Sequence, residues 1–410
     1  KVSQINKLKI FNDPIYGFIT IPNALIYDLI QHPYFQRLRR ISQMGLSYLV
    51  YPGANHTRFH HALGCMHLMQ KAVDVLRFKG IAISDEEENA LYIAILLHDI
   101  GHGPFSHAME KSIVEEVHHE AISLVFMSQL NDEFKGQLSL AIQIFKGEYH
   151  RKFMLQLISS QLDMDRMDYL KRDSFYSGVA EGNVNSERLI QMMNVVEDVL
   201  VIEEKGIYSV EKFLMSRRLM YWQAYLHKTS LVAELILTKV LKRAKELTLK
   251  GITLPCSEPL LFFMQNRIAL ENFNAQTLDL FSQLDDFDII SALKSWQGQD
   301  DFILSSLSKM IINRDLPKIK VVTDKLLLED MLPLQERFAA ENNISIADTN
   351  YFIFKGKIKN QAYSKEAEPI RILKKDRTIE DVVEASDQLN LKSLSKSVTK
   401  YYICFPKQLV

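Results

Sequence analysis

Apolar residues recur at helical spacing over most of the chain up to residue 315. Asn23–Ile30 follows Pro22 in this way and Tyr34–Met44 follows Pro33, so the period predicts two short helices opened by proline. Arg58–Phe78 and Glu86–His98 carry the same period over longer spans. The second opens on Ser84-Asp85-Glu86-Glu87, a capping serine with acids in the first turn. Gly101 and Gly103-Pro104 stop it. Val114–Leu130, Gly136–Phe145 and Lys152–Tyr169 extend the helical reading, and Lys212–Thr248 contains neither proline nor glycine.

Strand signals are fewer. Lys9–Ile19 reads as two short strands around an Asp13-Pro14 and Gly17 turn. Val199–Ile202 and Ile207–Val210 flank Glu203–Gly206 and predict a hairpin. After about residue 316 the character changes, with strands expected at Lys318–Val322, Tyr351–Lys359, Ile370–Leu373 and Tyr401–Phe405. The fold class expected is mainly α: a helical body over residues 1–315 with short β-hairpins, then a small α+β lobe over residues 316–410.

Composition excludes several classes. Hydrophobic residues make up 47% and charged residues 24%, enough apolar side chain to bury a core. The 49 Lys and Arg nearly balance the 50 Asp and Glu, which excludes a globally basic nucleic-acid binder. Lys355–Lys400 holds eleven basic against seven acidic residues, read first as a solvated face and only weakly as a nucleic-acid or polyphosphate patch. No apolar run reaches the roughly 18 residues of a membrane helix. Lys1–Gln4 carries no signal-peptide pattern, and Lys1 in place of methionine fits a trimmed start. Cys65, Cys256 and Cys404 are too sparse for a disulfide scaffold and fit a reducing cytoplasm.

Histidine changes the picture. Nine of the 12 lie between His56 and His119. His98-Asp99 sits at the end of an apolar helix that would bury both side chains, and buried polar groups need partners. His61 upstream and Asp165 downstream complete a two-His, two-carboxylate set. Such mixed ligands suit one divalent ion of the Mn, Fe, Zn, Ni or Mg kind rather than a thiolate-bound structural zinc. The plainer roles are assigned elsewhere: His67 structural, His60 and His118 solvated or supporting, His56 a loop hydrogen-bonder, His32 and His150 on the surface. Asp163 is expected to cap a helix, and Asp168 to pair with Arg172.

The order His61, His98-Asp99, Asp165 resembles the HD-domain metal-dependent phosphohydrolases. Further blocks are similar to the deoxynucleotide triphosphohydrolases among them, the family of bacterial dGTPase-like enzymes and the vertebrate SAM-and-HD-domain enzyme. These are Asn12–Ile15, Phe35–Arg39, Tyr51–Ala54, Thr57–Phe59, His98–His107 and Asp163–Asp173, with weaker similarity at Ile311–Asp315 and Ala367–Arg371 and no SAM segment. The resemblance implies an HD helical body and His61, His98, Asp99 and Asp165 as metal ligands. It implies Arg58, His102, His107 and Arg166 around the triphosphate, whose charge one divalent ion cannot neutralise. It implies His119 as the catalytic histidine, with Glu110 beside it where Asp is usual. Tyr169 and Asp173 match sugar contacts, and Gln43 a reader of the sugar 3′-hydroxyl. Met44 stands where Leu often gates against a ribose 2′-hydroxyl. Arg217, Tyr225 and His227 match a helix lining the nucleotide pocket, with Tyr221 in place of a histidine.

The activity so implied is hydrolysis of deoxynucleoside triphosphates to deoxynucleoside and triphosphate, by attack of water on the α-phosphorus in a cytoplasmic homodimer or homotetramer. A nucleotide effector would bind near Gln36, Arg37 and Arg39. Gln31 stands where the vertebrate enzyme has a guanine-reading acid, and Arg37 and Arg39 read equally well as surface ion pairs. Two alternatives remain open: another HD phosphohydrolase (a nucleotidase, phosphodiesterase or alarmone hydrolase), and a non-catalytic nucleotide-sensing or nucleic-acid-binding assembly.

Overall fold

A computed structural model describes residues 9–114, 117–322, 331–364, 367–387 and 394–409. Lys1–Gln4 and parts of the basic Lys355–Lys400 run lie outside the described residues.

The molecule is mainly helical. The centre is the helix Arg58–Phe78, packed between Asp85–Leu97 and Met164–Ser177. Asp85–Leu97 is buried without a break from Ala90 to Leu97, so it is a central rather than an amphipathic surface helix. Ser84 caps it by accepting from Glu87 N at 3.1 Å, while the Glu87 carboxylate accepts from Ser84 N at 2.8 Å. In front of the bundle, strands β1 (Ile10–Asp13) and β2 (Gly17–Thr20) form the expected hairpin, its turn held by Asp13 accepting from Ile15 N and Tyr16 N.

Two further sheets pack on the helices. The hairpin β3 (Met193–Val196) and β4 (Val199–Glu203) continues into β7 (Arg371–Leu373) and β8 (Ile379–Asp381), with β4 and β7 parallel. The second sheet has the order β5 (Lys318–Val322), β9 (Val398–Phe405), β6 (Phe354–Asn360). Strands from the last hundred residues thus complete a sheet begun inside the helical body. No helix among the described residues is long and apolar enough to cross a membrane.

Several predicted elements differ. Tyr34–Met44 is one helical turn, Pro33–Gln36, then a 3₁₀ turn, Arg37–Arg40. Beyond it the backbone bonds run sideways: Arg58 N donates to Ile41 O, Gln43 N to His56 O and Ser42 N to the Asp286 carboxylate. The helix expected from Val114 starts at His119. Lys152–Tyr169 breaks after Ile158, because Asp163 accepts from both Ser160 N and Arg166 N and starts a new helix at Met164.

Ile207–Val210 is not a strand but the first turn of the helix Ile207–Met220. The partner of β4 is β3, joined through Glu197 and Asp198, both with positive φ, a two-residue hairpin without the usual Asn-Gly signal. Lys212–Thr248 is interrupted by a π turn at Tyr221–Tyr225 and by His227, whose side chain caps the helix Lys228–Leu249 by accepting from Thr229 N.

Candidate active site

Three helices bring the four expected ligands together. His61 lies in the first turns of Arg58–Phe78, His98 and Asp99 at the end of Asp85–Leu97, and Asp165 in the first turn of Met164–Ser177. His61 Nε2 is 3.0 Å from Asp165 Oδ1 and 3.7 Å from Asp99 Oδ2. His98 Nε2 is 3.4 Å from Asp99 Oδ1 and 3.5 Å from Asp165 Oδ1. Donor atoms about 2.1 Å from a common ion stand about 3.0–3.4 Å apart, a spacing that His61, His98 and Asp165 approach most closely, with Asp99 at 3.4–3.7 Å beside them.

The hydrogen bonds agree. His61 Nδ1 donates to Asp168 Oδ2 at 2.8 Å and His98 Nδ1 to Ile95 O at 2.6 Å, which leaves the Nε2 lone pairs facing the carboxylates. Two acceptors at 3.0 Å need a positive charge between them. His98 Nε2 is buried with no hydrogen-bond partner. HD domains bind divalent metals, and His61, His98 and Asp165 form a candidate site for one.

Cys65, one turn after His61, was not singled out in the sequence. Its sulfur is 3.5 and 3.6 Å from the two His61 ring nitrogens, so it packs on the ring rather than beyond Nε2. Burial pushes its thiol pKa up. A protonated thiol is a poor ligand, and Asp99 is the better fourth member. Burial alone would raise Asp99, but His98, His102 and Arg58 outweigh it and hold the carboxyl well below its usual range.

Behind the cluster runs a buried chain. Arg172 donates to Asp168 from Nε at 2.9 Å and from Nη2 at 3.0 Å, and from Nη1 to Asp13 at 2.7 Å. This orients Asp168 and through it His61. Gly64 makes the room: a Cβ there would lie 2.0 Å from Asp168 Oδ1 and 2.3 Å from Arg172 Nη2.

On the other side a second network forms. His102 Nε2 lies 3.2 Å from Asp99 Oδ1, and its Nδ1 is 2.7 Å from Ser106 Oγ. Ser106 donates to Glu110 Oε1 at 2.9 Å, and the same oxygen accepts from His119 Nδ1 at 2.9 Å. The His102 and His119 rings stack with centroids 3.8 Å apart. Burial would raise Glu110, but the His119 and Ser106 bonds and the nearby imidazoles hold it down at about 2. Burial pushes His102 down to about 3, with Arg58 adding to it, so it is a neutral imidazole.

A cavity of about 560 Å³ opens beside these networks. Gln43, Met44, Arg58, His107, Tyr169, Asp173 and Tyr225 line it, as does Tyr221. Gln43 Oε1 is buried without a partner. Asp173 accepts from Tyr225 OH at 2.7 Å and pairs with His56 Nε2 at 2.6 Å, so the loop histidine holds a pocket residue. Arg217 does not line the cavity; its Nε and Nη1 are buried without hydrogen-bond partners. Arg166 is tied back to Ser160 O and Asp163, and His227 serves as a helix cap against Tyr51. Sequence reasoning missed Lys111, Glu234, Lys357 and Lys359, which also line the cavity. The two last lysines alternate along β6 within the basic run read as a solvated face, and the alternation was the available signal.

The expected effector patch is corrected at Arg37. Its side chain is fully buried, donates to Ile100 O at 2.7 Å and His102 O at 2.9 Å, and lies between the Phe126 and Phe281 rings. Burial pushes its pKa down to about 9. Arg37 therefore braces the His98–Gly103 loop from inside. Arg39 is exposed, stacks on Phe59 and bonds Gln36.

A cluster of histidines and carboxylates where three helices meet, beside a glutamate-held histidine, is suited to a metal-dependent hydrolase. The comparisons make this specific. The HD domain family matches residues 58–173 and the HD-associated region matches 184–253. The crystal structure of a phosphohydrolase from Bacteroides thetaiotaomicron has a TM-score of 0.94 at 51% identity, covering 98% of this chain and all of that one. The uncharacterized protein YwfO of Bacillus subtilis is 38% identical over 323 residues, 76% of this chain and 72% of that protein. The deoxynucleoside triphosphate triphosphohydrolase SAMHD1 homolog of Dictyostelium discoideum is 30% identical over 257 residues, 58% of this chain and 50% of that protein. The chain belongs to the HD-domain phosphohydrolase family.

Proposed function

We propose that this HD phosphohydrolase cleaves deoxynucleoside triphosphates into deoxynucleoside and triphosphate. The observation that carries the reading is the continuity of one cavity from Arg58, at the ligand cluster, to Gln43, Met44, Tyr169, Asp173 and Tyr225, groups suited to a sugar and a base. The Dictyostelium relative's name supports it.

A divalent ion held by His61, His98, Asp99 and Asp165 would polarise the phosphate and lower the pKa of water. Arg58 and His107 line the cavity where a triphosphate would lie. Arg166 would have to leave Ser160 O to join them, and neutral His102 donates or accepts without adding charge. Glu110 fixes His119 through Nδ1, so Nε2 is the atom that handles a proton at the α-phosphate. The Gln43 amide and the Tyr225–Asp173 pair offer hydrogen bonds to sugar hydroxyls, and Met44 packs where a 2′-hydroxyl would point. Attack of water on the α-phosphorus breaks the bond to the 5′-oxygen, which leaves as the deoxynucleoside hydroxyl once protonated. We read the assembly as a homodimer or homotetramer, with an effector contact restricted to Gln36 and Arg39, and the site as cytoplasmic.

The test is product analysis with each dNTP and rNTP, singly and mixed, with Mn²⁺ or Mg²⁺. Tripolyphosphate with deoxynucleoside is the expected result, lost in Asp99→Ala. Orthophosphate or pyrophosphate would assign the chain to another HD chemistry. Binding without turnover would assign it to sensing.

A further inference from the structure

The cavity has two walls drawn from distant parts of the chain. Ser42–Met44 supplies Gln43 and Met44, and Phe105–Glu110 supplies Ser106 and His107, with Glu110 behind them bonded to His119. One carboxylate bonds both walls. Asp286 Oδ2 accepts from Ser42 N at 2.8 Å, and Oδ1 accepts from Phe105 N at 3.2 Å. The anchored backbone is not ordinary: Phe105 sits in the left-handed region at φ 44, ψ 49, sparsely populated for a residue with a Cβ. That turn ends the Gly101–Pro104 loop and starts the helix carrying Ser106, His107 and Glu110.

Asp286 is itself held firmly. It is the first residue of the helix Asp286–Trp296, capped by Asp285, which accepts from Phe287 N at 2.9 Å and pairs with Arg40. The preceding Leu284 O accepts from Arg37 Nη1 at 3.4 Å. One turn thus gathers Arg37, Arg40, Ser42 and Phe105. Burial pushes the Asp286 carboxyl up to about 6 against the pull of its two N–H donors; above that pH it is a pure acceptor.

We propose that Asp286 is a positioning residue that sets the separation of the two walls, and through them both sugar discrimination and the placing of Glu110 and His119. Its side chain does not line the cavity. It lies outside both segments matched to the family, 58–173 and 184–253. The inference rests on the proposed activity only for its kinetic readout.

The test is Asp286→Asn, which keeps the size but turns one acceptor into a donor facing an N–H. Hydrogen exchange is measured over residues 41–46 and 101–110, with metal content and steady-state kinetics on dNTPs and rNTPs. Faster exchange in both segments is expected, with metal content unchanged, kcat down by about 10- to 100-fold and a shifted dNTP-to-rNTP ratio. Asp286→Glu, which keeps two acceptors, should recover part of the loss, and it carries the same measurements if the Asn variant does not fold. Unchanged exchange in either segment overturns the proposal. So does a loss of thermal stability alone with kinetic constants per folded molecule unaltered. If the wild type releases no triphosphate, the proposed function fails, while the exchange data still decide the role of Asp286.

Discussion

The ligand cluster and the substrate cavity are neighbours built on opposite terms. Behind His61 the supporting groups are buried and matched: Asp168, Arg172 and Asp13 form a closed chain, and His61, Asp168 and Arg172 are fully shielded from solvent. In the cavity, polar groups of Gln43 and Arg58 are buried without partners, and the lining includes exposed Lys357 and Lys359. The first arrangement needs only a cation to complete it. The second needs a ligand with its own donors, acceptors and charge. Chemistry is held rigidly in one, and selectivity is left to complementarity in the other.

The largest expected effect comes from breaking the rigid side at a ligand. Asp165→Ala removes the oxygen shared by His61 and His98. Metal content measured by elemental analysis should fall to background and turnover should drop by more than about 10³-fold, since Lewis acidity and charge neutralisation go together. Treatment with a chelator should do the same to the wild type, and added Mn²⁺ should reverse it. A variant that retains both metal and turnover would remove Asp165 from the ligand set.

Next is the link between the two regions. Glu110→Gln leaves His119 without its carboxylate, and a loss of about 10²-fold in kcat with little change in KM is expected from a general acid–base residue set loose. Because its acid is held down at about 2, Glu110 contributes stability that is present above the ordinary glutamate value and lost as pH falls through about 2. An acid limb of the activity profile at pH 5–7 therefore belongs to another group. If Glu110→Gln abolishes that limb, Glu110 titrates in the working range and the assignment fails.

A change with a structural readout follows. Gly64→Ala drives a methyl against Asp168 and Arg172. A destabilisation of about 1–3 kcal/mol is expected from overpacking, seen in chemical denaturation, together with weaker metal retention. Equal denaturation midpoints would mean the buried chain yields more easily than its packing suggests.

The two regions also differ in how far the chain betrays them. His61 and His98-Asp99 announce themselves because histidine crowds between His56 and His119 and is scarce elsewhere, and Asp165 because it stands in the Asp163–Asp173 block of the family resemblance. Asp163 as a cap and Asp168 with Arg172 were readable from local spacing. Arg37 was not: its burial depends on Phe126 and Phe281, far off in sequence, and the motif around it looks polar. Ile207–Val210 was misread because β3, not the following segment, pairs with β4, and β pairing is nonlocal. Lys357, Lys359 and Asp286 reach the site only through the packing of the last third of the chain, which no local period encodes.

The smallest effect should come from the cavity wall. Met44 is buried and lines the cavity, and Leu has nearly its volume but fewer rotamers. Met44→Leu should leave metal content and folding unchanged. It should raise the dNTP-to-rNTP ratio of kcat/KM by about a few-fold, below the roughly 10- to 200-fold that a whole methylene can command. The gain should appear in slower rNTP turnover, because a stiffer wall yields less to a 2′-hydroxyl. An unaltered ratio would move sugar discrimination to Gln43 and the Tyr225–Asp173 pair. Gln43→Ala, which removes a buried acceptor from the same wall, would then be the variant that changes it.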